Sequence, residues 1–81
     1  MNEKARHLIV KKAREFFKDA RNPKVQGIVS DLYAEFYGYV FGVLELAEYD
    51  AELWRLASKA RQRAAEVRSS VLCRHLRMKA A

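Results

Sequence analysis

One proline and three glycines in 81 residues leave this chain little with which to build tight turns. An all-β domain needs a turn signal roughly every 8–12 residues, and those signals are missing. Apolar residues instead recur every three or four positions almost throughout, the period of an α-helix. The single proline follows Asn22, so the pair reads as an N-cap with proline at the first helical position. Asp50 before Ala51-Glu52-Leu53 is a second start signal, with Glu52 in the first turn where the helix dipole favours an anion. Asn2, with Glu3 behind it, is the expected cap of the first helix. Three helices are therefore expected over about 3–20, 23–48 and 51–78, within one domain spanning 1–81. The fold class is all-α: a three-helix bundle, or an antiparallel helical hairpin with a long C-terminal helix, packed as a homodimer. No internal repeat, low-complexity tract or linker interrupts this pattern.

A chain this short hides only about 60% of its unfolded surface, which makes a lone core marginal and favours a second copy. Its one cysteine excludes an intramolecular disulfide framework and fits a reducing compartment, so a cytoplasmic location is expected. The start, MNEKARHLIV, lacks the apolar run of a signal peptide. Glu35 and Glu45 break the longest apolar stretch, leaving it too short for a membrane span.

Charge is segregated by helix. Residues 1–24 carry net +5, residues 25–49 carry net −4 with no Lys or Arg, and residues 50–81 carry net +5. An acidic helix between two basic ones favours a compact bundle with complementary faces.

The first helix is cleanly amphipathic. Ala5, Ile9, Ala13, Phe16 and Ala20 share one face, widened by Leu8 and Phe17. Opposite them Lys4, His7, Lys11, Arg14 and Lys18 make a stripe about 20 Å long at 1.5 Å per residue. The stripe serves either as a phosphate-tracking ridge or as an ordinary solvated face.

The second helix spreads its apolar residues, Val25 through Ala47, over about half its circumference, wider than the roughly 100° stripe of a surface helix. It needs cover from more than one neighbour and is expected near the centre of a dimer. Its other face gathers Asp31, Glu35, Gly38, Gly42 and Glu45. Two glycines cost a helix interior about 1 kcal/mol each against alanine, so a close helix approach is one reading and an exposed acidic face the other. Gly38, Gly42, Phe36, Tyr37, Val40 and Trp54 are the candidates for helix–helix or subunit contact.

The third helix carries a seam of Leu53, Ala57, Ala60, Ala64, Val67, Val71, Arg74 and Met78, spaced by fours and threes. Trp54, Ala65, Leu72 and Leu76 form a thinner second strip. Arg61 and Arg68, beside the seam, are placed to reach the acidic second helix. Arg55, Lys59, Arg63, Arg74 and Arg77 form an outer basic row. Six Arg against two Lys in residues 50–81 suit forked hydrogen bonding to phosphates or carboxylates.

No Gly-rich phosphate loop, HExxH or paired CxxC occurs, and Glu45-Leu-Ala-Glu48 lacks the histidine of a di-iron helix pair. Cys73 and His75 point about 200° apart on a helix and make no nucleophile–base pair; Cys73 is expected to be half-buried. Neither an enzyme nor a bound metal or cofactor is expected. A reading helix of the helix-turn-helix kind is absent, and exposed aromatic platforms for single strands are not evident. The expected function is binding of nucleic acid through its phosphate backbone by Lys4, Lys11, Arg14, Lys18, Arg55, Lys59, Arg63, Arg74 and Arg77, in a regulatory or accessory role. The alternative is a protein-binding adaptor or inhibitor whose basic faces dock on an acidic partner surface. What separates them is whether the two basic rows lie on one continuous face.

Overall fold

The protein is described by a computed structural model over residues 2–80, apart from the side chains of Asn2, Gln26, Met78, Lys79 and Ala80. The cap assigned to Asn2 and the seam position of Met78 lie outside those described side chains. Helix α1 (Asn2–Ala20) is followed by a 3₁₀ helix (Pro23–Ile28), α2 (Val29–Leu46) and α3 (Ala51–Ala80).

The two expected interior caps are present. The Asn22 carboxamide oxygen accepts from the Lys24 N–H at 3.0 Å. The Asp50 carboxylate accepts from the N–H groups of Glu52 at 3.0 Å and Leu53 at 3.2 Å. Each satisfies a donor that the first helical turn leaves without a partner.

The middle helix departs from expectation at both ends. Residues 23–28 wind as a 3₁₀ helix, in a stretch where Val25 and Gly27 are poor α-formers. Ile28, at φ −118° and ψ 17°, breaks the winding before α2 begins. At the other end α2 stops at Leu46, not near residue 48. The Tyr49 N–H donates to the Leu44 carbonyl at 2.9 Å and the Glu48 N–H to that of Glu45 at 3.1 Å. This is the Schellman closure, which needs a left-handed residue after the helix. Glu48 at φ 56° and Tyr49 at φ 55° supply that conformation without glycine.

Up–down–up packing follows from these turns. Phe16 near the end of α1 meets Tyr33 and Phe36 near the start of α2, with ring centroids 6.2 and 5.6 Å away. Ala5 and Leu8 line a cleft with Val43 and Ala47 at the opposite end. α1 and α3 run parallel: Arg6 shares a cleft with Leu53 and Arg55, and Ala20 with Val71 and Arg74.

The core draws one face from each helix: Ile9, Ala13, Phe16 and Ala20; Val29, Phe36, Val40, Val43 and Leu44; Leu53, Ala57, Ala64 and Val71. α2 supplies most of the bulk, and the alanines of α3 let it approach closely. Ala60 and Val67 are half-buried on the seam, whereas Arg74 is exposed. α3 at 30 residues is far longer than its partners, and the last buried residue among its described side chains is Val71. Leu76 is 64% exposed, whereas His75 is half-buried beside Gly27. The longest dimension of the described chain is 50 Å, against 17 and 14 Å across. None of the described helices is long and apolar enough to cross a membrane.

Candidate functional site

The arginines of α1 and α3 meet along the seam between those helices. At its lower end, Arg21, in the turn just past α1, lines a cleft of about 160 Å³ with Arg63 and Arg74 of α3. The remaining walls are Phe17, Ala20, Val67 and Val71, so no acid lines it. At the upper end Arg6 shares a wider cleft with Arg55, Lys59 and Trp54. That cleft also contains Glu3, Glu52 and Asp50, the last occupied in capping α3. The lower end is thus the more anion-attracting. Arg63 has one carboxylate nearby, Glu66 at 3.6 Å, and both side chains are mostly exposed, at 73% and 58%. Such a solvated pair leaves the guanidinium available.

Four of the expected binding residues, Arg55, Lys59, Arg63 and Arg74, therefore line clefts with two cations that the amphipathic pattern did not single out, Arg6 of α1 and Arg21 just past its end. A signal for them exists. Arg6, Val10, Arg14, Phe17 and Arg21 follow spacings of four, four, three and four, a helical face flanking the buried one. Arg14 belongs to that row and also lines the outer cleft of α1 with His7, Lys11 and Lys18. It joins the outer stripe to the seam. Lys4 lies elsewhere, in the cleft with Leu8, Leu46 and Glu48 at the α2 side. Arg77 lies on the outer surface of α3 with Gln62, Ser69, Ser70 and Cys73. Cys73 is exposed, not half-buried, since it follows the core residue Val71 by about 200° of helical rotation.

The other side of α3, facing α2, carries a different surface. Tyr33, Tyr37 and Phe41 stack along α2 with centroid separations of 6.2 and 4.5 Å. Phe41 then meets Trp54 of α3 edge-on at 5.8 Å, and Trp54 meets Tyr49 at 6.1 Å. Tyr37 is 41% exposed, Trp54 45% and Tyr49 52%. An exposed aromatic surface therefore exists, contrary to expectation. The breadth of α2's apolar face exceeds what two slender neighbours cover.

Phe36 and Val40 are 1% and 0% exposed, so they serve contact within the chain. A Cβ built at Gly38 or Gly42 would meet nothing within 4 Å; no helix of the chain approaches either glycine. Arg68 does reach α2, but its target is a ring: its guanidinium carbon lies 4.3 Å from the Tyr33 centroid. Lys12 lies over Tyr39 at 5.1 Å in the same manner. Among the described residues both ion pairs, Lys12–Glu15 at 3.7 Å and Arg63–Glu66, are within a single helix. Among the described residues the segregated charges are thus not paired off between helices. No group of three or more His, Cys, Asp or Glu suited to a metal ion is found among the described residues. No protein-family model, no curated protein and no solved structure matches this chain.

Proposed function

We propose that the protein binds nucleic acid through phosphate contacts along the α1–α3 seam, in a regulatory or accessory role. The observation that carries this reading is the cleft, with no acid in its lining, where Arg21 from the turn after α1 meets Arg63 and Arg74 of α3. Forked guanidinium groups suit phosphate oxygens, and three of them around one cleft exceed what either helix offers alone. With Arg6, Arg55 and Lys59 farther along, the seam presents bases of both helices to one side. Contacts of this kind position a backbone and carry little sequence information.

Fluorescence anisotropy of labelled duplex DNA and single-stranded RNA across a salt series tests the proposal. Micromolar or tighter binding with a steep salt slope is expected, and the slope counts the phosphates neutralised. Affinity weaker than about 10⁻⁴ M at physiological salt would reject it.

A second reading, docking on an acidic protein surface, draws on Trp54 beside Arg55 and Lys59, since Trp and Arg are the residue types that anchor protein interfaces. Failure of the nucleic-acid titration would favour it. In either reading the protein acts as a homodimer with α2 near its centre.

A further inference from the structure

We infer that the aromatic stripe between α2 and α3 is the dimer surface, and that the two copies meet in parallel about a two-fold axis running along the helices. This rests on the homodimer reading above and is independent of the nucleic-acid reading.

The stripe is apolar and exposed at Tyr37, Trp54 and Tyr49. It continues down α3 through Leu72 to Leu76, the latter 64% exposed. Its flanks differ in sign. The α2 flank belongs to a segment, residues 25–49, with four carboxylates and no Lys or Arg. The α3 flank carries Arg61 and Arg68. A nucleic acid laid here would run beside the carboxylates, which disfavours it. A second copy finds opposite charges on both edges, provided its orientation is right.

Two-fold symmetry leaves two arrangements of such a face against itself. An axis perpendicular to the helices sets α2 on α2, placing acid against acid. An axis parallel to them sets α2 of each copy on α3 of the other, placing acid against base twice. Only the parallel arrangement keeps levels along the bundle. Arg68 lies over Tyr33, and Asp31 is two residues away, about 3 Å along the axis at 1.5 Å per residue. Asp31 of one copy therefore comes level with Arg68 of the other. The lower α1–α3 cleft of Arg21, Arg63 and Arg74 is left facing outward, whereas the upper cleft shares Trp54 with the dimer surface.

The test uses the full chain. Sedimentation equilibrium from low micromolar to near-millimolar concentration should approach twice the 9.4 kDa chain mass. Emission of Trp54, the single tryptophan, should shift to the blue over the same range. Tyr37→Glu should raise the dimer dissociation constant at least tenfold while leaving helical content unchanged. Asp31→Lys should weaken the dimer, and adding Arg68→Glu to it should restore most of the loss. A monomeric mass throughout would overturn the homodimer reading as well, leaving the stripe to a different protein. A dimer indifferent to Tyr37→Glu would overturn the proposed face alone. A dimer broken by Tyr37→Glu but not rescued by the charge swap would overturn the parallel orientation.

Discussion

α3 has two seams, and they carry opposite chemistry. Toward α1 it shows arginines set around apolar walls, with no acid in the lining; toward α2 it shows rings, with one guanidinium laid over Tyr33 at 4.3 Å. Both seams hang on the same buried stripe of Leu53, Ala57, Ala64 and Val71. The contrast arises from the neighbour. α1 is narrow and basic, so its flanking row continues the cations of α3. α2 is broadly apolar and acidic, so its surplus rings spill past the core on the α3 side. One bundle of this size can thereby present two unlike surfaces without any loop of its own to carry them.

The largest effect is expected where the seams share support. Phe36 is fully buried and its ring lies 5.6 Å from that of Phe16. Phe36→Ala should cost about 3–5 kcal/mol. At 0.05–0.15 kcal/mol per residue a chain of this length has about 4–12 kcal/mol in all. Thermal unfolding followed by circular dichroism should show a partly or wholly unfolded chain at room temperature. A cooperative melt close to that of the unchanged protein would mean that the core is built otherwise.

Next comes an asymmetry between basic surfaces. Arg63→Glu with Arg74→Glu should weaken binding to labelled nucleic acid of any sequence by tenfold or more and flatten the salt slope by about one to two contacts. Lys11→Glu with Arg14→Glu, on the outer cleft of α1, should cost less, since only Arg14 borders the seam. Both variants should melt like the unchanged protein, because the altered side chains are exposed. Equal losses from the two would spread the site over the whole of α1, and the seam would have no special role.

These contrasts were unevenly legible in the sequence. Caps are local, so Asn22 and Asp50 announced their helices in three or four residues. The core face of α1 was equally plain, since its apolar and charged residues separate cleanly around the helix. The end of α2 was not legible, because glycine is the usual marker of a left-handed closure and Glu48 and Tyr49 do the work here. Whether Arg68 would take a carboxylate or a ring depended on which side chain of α2 came level with it, a matter of tertiary register. The basic rows were visible one helix at a time. Their junction through Arg6 and Arg21 needed the relative rotation of two helices, which periodicity within either does not contain.

A smaller effect comes from glycine placed where it is not needed and lacking where it is. Gly42 has no positive φ and open space around its missing Cβ. Gly42→Ala should stabilise by about 0.5–1 kcal/mol. Glu48→Gly should stabilise by up to roughly 1 kcal/mol, by relieving a left-handed L-residue. Either should raise the melting temperature by about 4–8 °C per kcal/mol. A fall on Gly42→Ala would reveal a backbone lying against α2 from outside the chain.

The smallest effect is the most direct probe of how the α2 seam differs from the α1 seam. On the α2 side a cation is satisfied by a ring; on the α1 side cations wait for an anion. A guanidinium over a half-solvated ring is worth about 0.5–1 kcal/mol, rising when water is excluded. Arg68→Gln, Tyr33→Leu and the double variant form a cycle whose coupling should fall in that range, measured by urea unfolding. The same cycle on Arg63 and Phe17, which line one cleft across the α1 seam, should give a coupling near zero. Salt sharpens the distinction. Attraction to a ring quadrupole at 4.3 Å is short-ranged, so the Arg68–Tyr33 coupling should persist when salt is raised. The affinity of Arg63 and Arg74 for phosphate should decline steeply over the same range. If the Arg68–Tyr33 coupling also vanished with salt, the ring would not be what holds Arg68, and the two seams would differ in geometry alone.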